Sequence, residues 1–143
     1  MPCRLKLHFD VSGDDYAQAG EASAQLKRAL RGLGLAPQIV RRAAIAMYEG
    51  EINMVIHAEG GTIDVEVDDE RILFTLADTG PGIPEVSLAM KEGYTTATET
   101  VRAMGFGAGM GLPNMKRHTD SMQIDSKPGV GTTIAMQIGL DMA

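Results

Sequence analysis

At 143 residues, 44% apolar and 22% charged, the chain is sized and composed as one globular domain that needs no disulfide or metal staple to bury a core. Its net charge of −6 argues against a nucleic-acid partner, because phosphate neutralisation dominates that kind of affinity. The single cysteine, Cys3, excludes an internal disulfide; His8, His57 and His118 lack zinc-ligand spacing, and no apolar run nears the roughly 18 residues of a membrane span. The opening "MPCRLKLHFD" mixes charge into its apolar residues and so lacks a signal-peptide core, and the expected location is the cytoplasm. Aromatics are only 4% of the chain, and ten methionines are expected to fill much of the volume they leave.

In chain order, residues 4–11 alternate, with Leu5, Leu7, Phe9 and Val11 on one side, which predicts a half-buried strand. Ser12, Gly13, Asp14 and Asp15 supply turn and N-cap chemistry, and Ala17 to Leu33 predicts a helix stopped by Gly32 and Gly34. Pro37 suits the first turn of a second, longer helix, whose apolar periodicity runs to Ala58 before Gly60 and Gly61 end it. Thr62 to Val67 and Arg71 to Ala77 predict an antiparallel hairpin joined by "DDE" and followed by the turn "DTGPGIP". From Glu85 to Phe106 the pattern weakens. Val86 to Lys91 has the composition of a short helix, but "GYTTATETVRAMG" is polar and threonine-rich and predicts a mobile loop.

The stretch "GFGAGMGL" follows, then a helix from Leu112 with Pro113 in its opening turn to about His118, then a hairpin of Met122 to Ser126 and Thr132 to Ile138 across "KPGVG". The order β-α-α-β-β-α-β-β, with short turns inside two strand pairs, predicts an α+β fold: a two-layer sandwich of a largely antiparallel mixed sheet with helices on one face.

Three motifs bear on chemistry. On the second helix Glu49, Asn53 and His57 are spaced four apart, each offset by about 40° and about 6 Å from the last, so they form one stripe. Such a stripe is equally the mark of an exposed hydrogen-bonding ladder, but here "IAMYEGEINMVIHA" is mostly apolar, which sets the stripe beside buried surface. In "DTGPG", Asp78 ends a strand where Gly80 and Gly82 allow close backbone approach, and its carboxylate can accept from an exocyclic amine such as adenine's. Alone, that is also an ordinary strand-ending turn. "GFGAGMGL" fits neither the dinucleotide fingerprint nor the P-loop, yet its exposed NH groups leading into Leu112 to Asn114 have the makings of an anion site, or of a hinge.

In their fixed order, E-x-x-x-N, D-x-G-x-G, G-x-G-x-G-L and "GVGTT" resemble the ATP-binding (Bergerat-type, GHKL) domain shared by gyrase, the chaperone Hsp90, histidine kinases and MutL. The resemblance covers nearly all of residues 1–143 as a single domain. "EGYTT" and "GFGAGMGLPNMKRHTD" make it most similar to the bacterial anti-sigma-factor serine/threonine kinases of the RsbT and RsbW type. The resemblance implies Glu49 as the catalytic carboxylate, Asn53 as the Mg2+ ligand and His57 as a residue near the phosphates. It implies Asp78 as the adenine reader, with Gly80 and Gly82 shaping its turn, and Thr132 beside it. Gly107, Gly109 and Gly111 are the implied lid glycines, with Met110 and Leu112 carried with them as cofactor contacts. Where many relatives have Asn-Glu-Ala, this chain has Tyr48-Glu49-Gly50; glycine inside a helix costs about 1 kcal/mol against alanine, and room for a close neighbour is the expected compensation.

What the resemblance implies is an ATP- and Mg2+-dependent kinase that phosphorylates a serine or threonine of a STAS-domain antagonist protein. A sigma factor or a phosphatase is a further implied partner, homodimerisation is an open possibility, and neither nucleic acid nor membrane is expected. An ATP-gated regulatory binding module that transfers no phosphate would need the same pocket and stays open. A hydrolase of the gyrase or chaperone kind is disfavoured by length. A histidine kinase fragment is disfavoured because His8 falls in a strand and no helical hairpin bears a histidine.

Overall fold

The structure, a computed structural model, describes residues 5–12, 19–57, 60–78, 111–127 and 130–140. Its elements are β1 (Leu5–Ser12), α1 (Glu21–Gly32), α2 (Pro37–His57), β2 (Gly60–Val67), β3 (Arg71–Asp78), α3 (Gly111–Arg117), β4 (Ser121–Lys127) and β5 (Gly131–Gly139). The five strands form one sheet in the order β1-β2-β3-β5-β4, and every pairing is antiparallel. The predicted α+β architecture stands. The expected mixed character does not: among the described residues the sheet contains no parallel pair.

Period-two alternation gives the sheet two unlike faces. The register aligns Leu7, Val65, Phe74, Met136 and Met122 in one row across all five strands, and Phe9, Ile63, Leu76, Ile134 and Ile124 in the next. These rows belong to the hydrophobic core, whose centre at Val65, Phe74 and Met136 is fully buried. Complete burial of a Val, Phe or Met side chain contributes about 1.5–3 kcal/mol each, so the rows fix the register as well as the stability. The residues between them, among them Lys6, His8, Asp64, Glu66 and Thr133, face the other way. There His8 bonds Asp64 at 2.6 Å and Asp10 at 3.2 Å.

The helices cover the apolar face. On α1, Ala22, Leu26 and Leu30 recur every four residues and are buried; on α2, Val40, Ala43, Met47, Gly50 and Met54 alternate steps of three and four along one stripe. α2 packs against both α1 and α3. The Gly50 position leaves no room for a side chain: a Cβ there would collide with the Leu76 side chain of β3 and meet Met115 Cε of α3 at 3.3 Å. The close neighbours expected at that glycine are therefore a strand residue and a helix residue.

α1 starts at Glu21, later than the Ala17 expected from composition, and its N-cap is Gly20 in the left-handed region at φ 93. The cap group comes from outside the segment. Glu51 of α2 is 3% exposed, and its carboxylate accepts from the backbone NH of Gly20 (3.1 Å), Ala22 (3.2 Å) and Ser23 (3.1 Å) and from the Ser23 hydroxyl (2.8 Å). The free NH groups of a helix start and a buried carboxylate thus satisfy one another. The far end of α1 follows the sequence, with Gly34 at φ 77 and the Leu35 NH reaching back to the Leu30 carbonyl at 3.5 Å.

Candidate nucleotide site

The sheet row beyond the two apolar ones continues on the same face as Val11, Gly61, Asp78, Thr132 and Ser126. Here the core face turns polar. Asp78 and Thr132 stand directly opposite one another, and the Thr132 NH donates to Asp78 Oδ1 at 3.1 Å. The Thr132 and Ser126 hydroxyls share a hydrogen bond at 2.8 Å, with Thr132 buried. Two residues named from separate motifs are therefore neighbours, and Ser126, which no motif flagged, fixes the rotamer of the second. Only the register, unreadable from one sequence, could have pointed to Ser126.

Gly61 completes this row from the other side. A Cβ on it would strike the carbonyl oxygen of Ala77 and lie 2.9 Å from the Cα of Asp78, both backbone atoms that cannot swing aside. A glycine is required for β2 to lie this close to the end of β3.

α2 reaches this end of the sheet by connectivity. From His57 to Gly60 is three residues, at most about 10 Å of chain, and Gly61 pairs with Asp78. Asn53, one turn before His57, is half-buried; Glu49, one turn earlier, is half-buried too. Burial raises the Glu49 carboxyl above its ordinary range, while a hydrogen bond from the Asn114 side chain and the nearby His118 pull in the opposite direction. A carboxylate poised this way is a stronger proton acceptor than a fully hydrated one. On its other flank Glu49 lines a groove of about 340 Å³ between α1 and α2, together with Gly20, Lys27, Ile45 and Tyr48.

Of the remaining residues named from the sequence, Gly111 opens α3, and the Leu112 side chain is buried in the core. Contact between Leu112 and a ligand is thereby confined to its backbone. Gly80, Gly82, Gly107, Gly109, Met110 and the side chain of His57 lie outside the described residues, as do the "DTGPGIP" turn beyond Asp78 and the loop from Glu85 to Phe106. With seven residues, α3 has little macrodipole to offer an anion.

Sequence reasoning missed Glu51 and Asn114. Glu51 carried a signal: an acid two positions from Glu49 points about 200° away around the helix, into surface that the apolar neighbours mark as buried. Asn114 carried none. Among the described residues no group of three or more His, Cys, Asp and Glu could hold a metal ion, and no helix is long and apolar enough to cross a membrane.

Comparison with known proteins places these features in a wider set. A chain in the crystal structure of the SiaB-SiaC complex from Pseudomonas aeruginosa shares the fold, with TM-score 0.63 at 11% identity over 95% of this chain and 89% of that one. The serine/threonine-protein kinase RsbT of Bacillus subtilis is 31% identical over 118 residues, 79% of this chain and 83% of its own. Anti-sigma F factors of Pasteuria penetrans and Caldanaerobacter subterraneus are 35% and 34% identical, and this chain spans 60% and 64% of their lengths. The family model for the histidine kinase-, DNA gyrase B- and HSP90-like ATPases matches residues 49–142, a span that begins at Glu49 and takes in Asn53, Asp78 and Thr132. The order of motifs, the antiparallel sheet and this match agree, and the chain belongs to the histidine kinase-, DNA gyrase B- and HSP90-like ATPase family.

Proposed function

We propose that the chain is a protein kinase of the anti-sigma type, which binds ATP between α2 and the Asp78–Thr132 end of the sheet and passes its γ-phosphoryl group to a serine or threonine of a STAS-domain partner. The observation that carries the reading is Glu49: a half-buried carboxylate with a raised pKa, one turn from Asn53, on the helix leading to the Asp78 row. The name of the RsbT relative, which aligns over most of both chains, supports the same activity.

Phosphoryl transfer asks mainly for positioning and electrostatics. The partner's hydroxyl oxygen bonds to the γ-phosphorus, the bond to the ADP oxygen breaks, ADP leaves, and Glu49 takes the hydroxyl proton. A base whose pKa lies nearer neutrality suits that task, and the groove between α1 and α2 gives an acceptor a route to it. Asp78, steadied through Oδ1 by the Thr132 NH, accepts from the adenine amine. The Asn53 amide oxygen is a hard donor, which suits Mg2+, an ion that takes few protein ligands and prefers phosphate oxygens and water. When bound, that ion would neutralise charge on the phosphates.

Incubating the protein with γ-labelled ATP and a purified STAS-domain protein tests the reading. Label is expected on a serine or threonine of the partner, and Glu49→Gln is expected to lower its rate at least a hundredfold while ATP affinity stays within about twofold. The anti-sigma names of other relatives favour a second reading, in which ATP gates the grip on a partner, a sigma factor or a phosphatase included, without transfer. ATP-dependent co-purification with an unlabelled partner would select it.

A further inference from the structure

We infer that the groove between α1 and α2 is the docking site of the partner segment that carries the acceptor hydroxyl, and that Lys27 and Arg41 select an acidic side chain about three residues from that acceptor. The inference rests on the reading of Glu49 as the base. Glu49, Tyr48, Ala24, Ile45 and Lys27 all line this groove of about 340 Å³. Their order along it follows from the helical hairpin. The Glu51 carboxylate of α2 accepts from Gly20 and Ser23 at the start of α1, and only residues 33–36 join the two helices, so α1 and α2 run antiparallel. Gly20 lies against the Tyr48 ring, whose Cε1 would be 3.1 Å from a Cβ there. From that contact Lys27 is about two turns onward along α1 and Arg41 about two turns back along α2, which sets both about 10 Å from the end held by Tyr48 and Glu49. Arg31 follows Lys27 by one more turn on the same side of α1.

The far end is thus basic in a chain whose net charge is −6. Lys27, Arg31 and Arg41 are exposed, and among the described residues none of them is in an ion pair, whereas Arg28 pairs with Glu21 and Arg42 with Asp120. Arg31, in the last turn of α1, suits the helix dipole; a cation at Arg41, near the start of α2, does not. Between the two ends the wall is apolar and half-buried at Ala24 and Ile45, and Tyr48, 38% exposed, offers a ring for a partner backbone to lie on. An extended chain covers about 3.3 Å per residue, so about three residues span the distance from Glu49 to the basic end. A segment whose serine or threonine meets Glu49 therefore brings a side chain between Lys27 and Arg41. An acid is complementary there and a base is repelled, which fixes the register in which a hydroxyl reaches Glu49.

The test sets the purified STAS-domain protein of the transfer assay against wild type, Lys27→Glu, Arg41→Glu and the double reversal. Transfer is followed with ATP, and binding with the magnesium complex of a non-hydrolysable analogue. In the double reversal KM for the partner is expected to rise at least about tenfold while KM for ATP stays put, and added salt should weaken partner binding in the wild type far more than in the variant. Lysine in place of the partner's acid nearest the labelled residue is expected to weaken binding to the wild type and to restore binding to the double reversal. If glutamate at these positions disturbs folding, Lys27→Ala combined with Arg41→Ala carries the same comparison. Equal partner affinity and KM in wild type and the double reversal would overturn the inference and leave the kinase reading intact, as would a labelled residue with no acid near it in the partner's chain. Charge-dependent binding with no label on the partner would support the groove while removing the kinase reading. A folded wild type that neither binds nor labels the STAS-domain protein would overturn both.

Discussion

Glu49 and Glu51 are two positions apart on α2, hence about 200° apart around it, and that angle separates their environments. Glu51 points at α1 and meets four donors, so Glu51→Ala leaves buried NH groups at the start of that helix unsatisfied. The expected loss is about 3 kcal/mol, read as a fall in the urea midpoint with unchanged slope. Glu49 points toward the site and is held, above all by burial, at a pKa higher than the 4.5 of an ordinary glutamate. Its favourable contribution is therefore complete below about pH 4.5 and is lost as pH rises through the raised value. Glu49→Gln is accordingly expected to raise Tm by a few degrees at pH 7.5, with the difference vanishing near pH 4, so that the substitution proposed to slow transfer is expected to stabilise the fold.

At the scale of elements, the strands and the second helix were legible because one-sided burial imposes a period. The alternation of Leu5, Leu7, Phe9 and Val11 gave β1 within a residue of its observed start, and the alternation in Thr62 to Val67 gave β2 within two. The start of α1 was not legible, because the carboxylate that caps it lies 28 to 31 residues further along the chain and its own N-cap is a bare glycine. Gly50 was noticed as an oddity of helix propensity, whereas Gly61 looked like punctuation. The two backbone atoms beside Gly61 give it a stricter role. Gly61→Ala is expected to cost about 1–3 kcal/mol in thermal or urea unfolding, and, because Gly61 pairs with Asp78, to weaken nucleotide binding as well.

For the whole molecule, the antiparallel sheet collects side chains that are far apart in sequence: the register alone sets Asp78 opposite Thr132, and α2 returns to the same end of the sheet three residues after His57. The motifs at Glu49, Asp78 and Thr132 were legible as residue types at fixed spacing, and the nearness of Thr132 to Asp78 followed from the family resemblance. The bonds that hold the last two, from Thr132 to Asp78 and from Ser126 to Thr132, were visible only in three dimensions. The claim on which this account depends is that a purine triphosphate occupies the polar end of the core face, with Asp78 reading its amine. Isothermal titration calorimetry of the magnesium complex of a non-hydrolysable ATP analogue, into wild type and Asp78→Asn, measures that directly. The account predicts saturable heat at one site per chain and at least about tenfold weaker binding in Asp78→Asn, or about 1.4 kcal/mol. No heat from the folded wild type at millimolar analogue, or equal affinity in the two proteins, would contradict it.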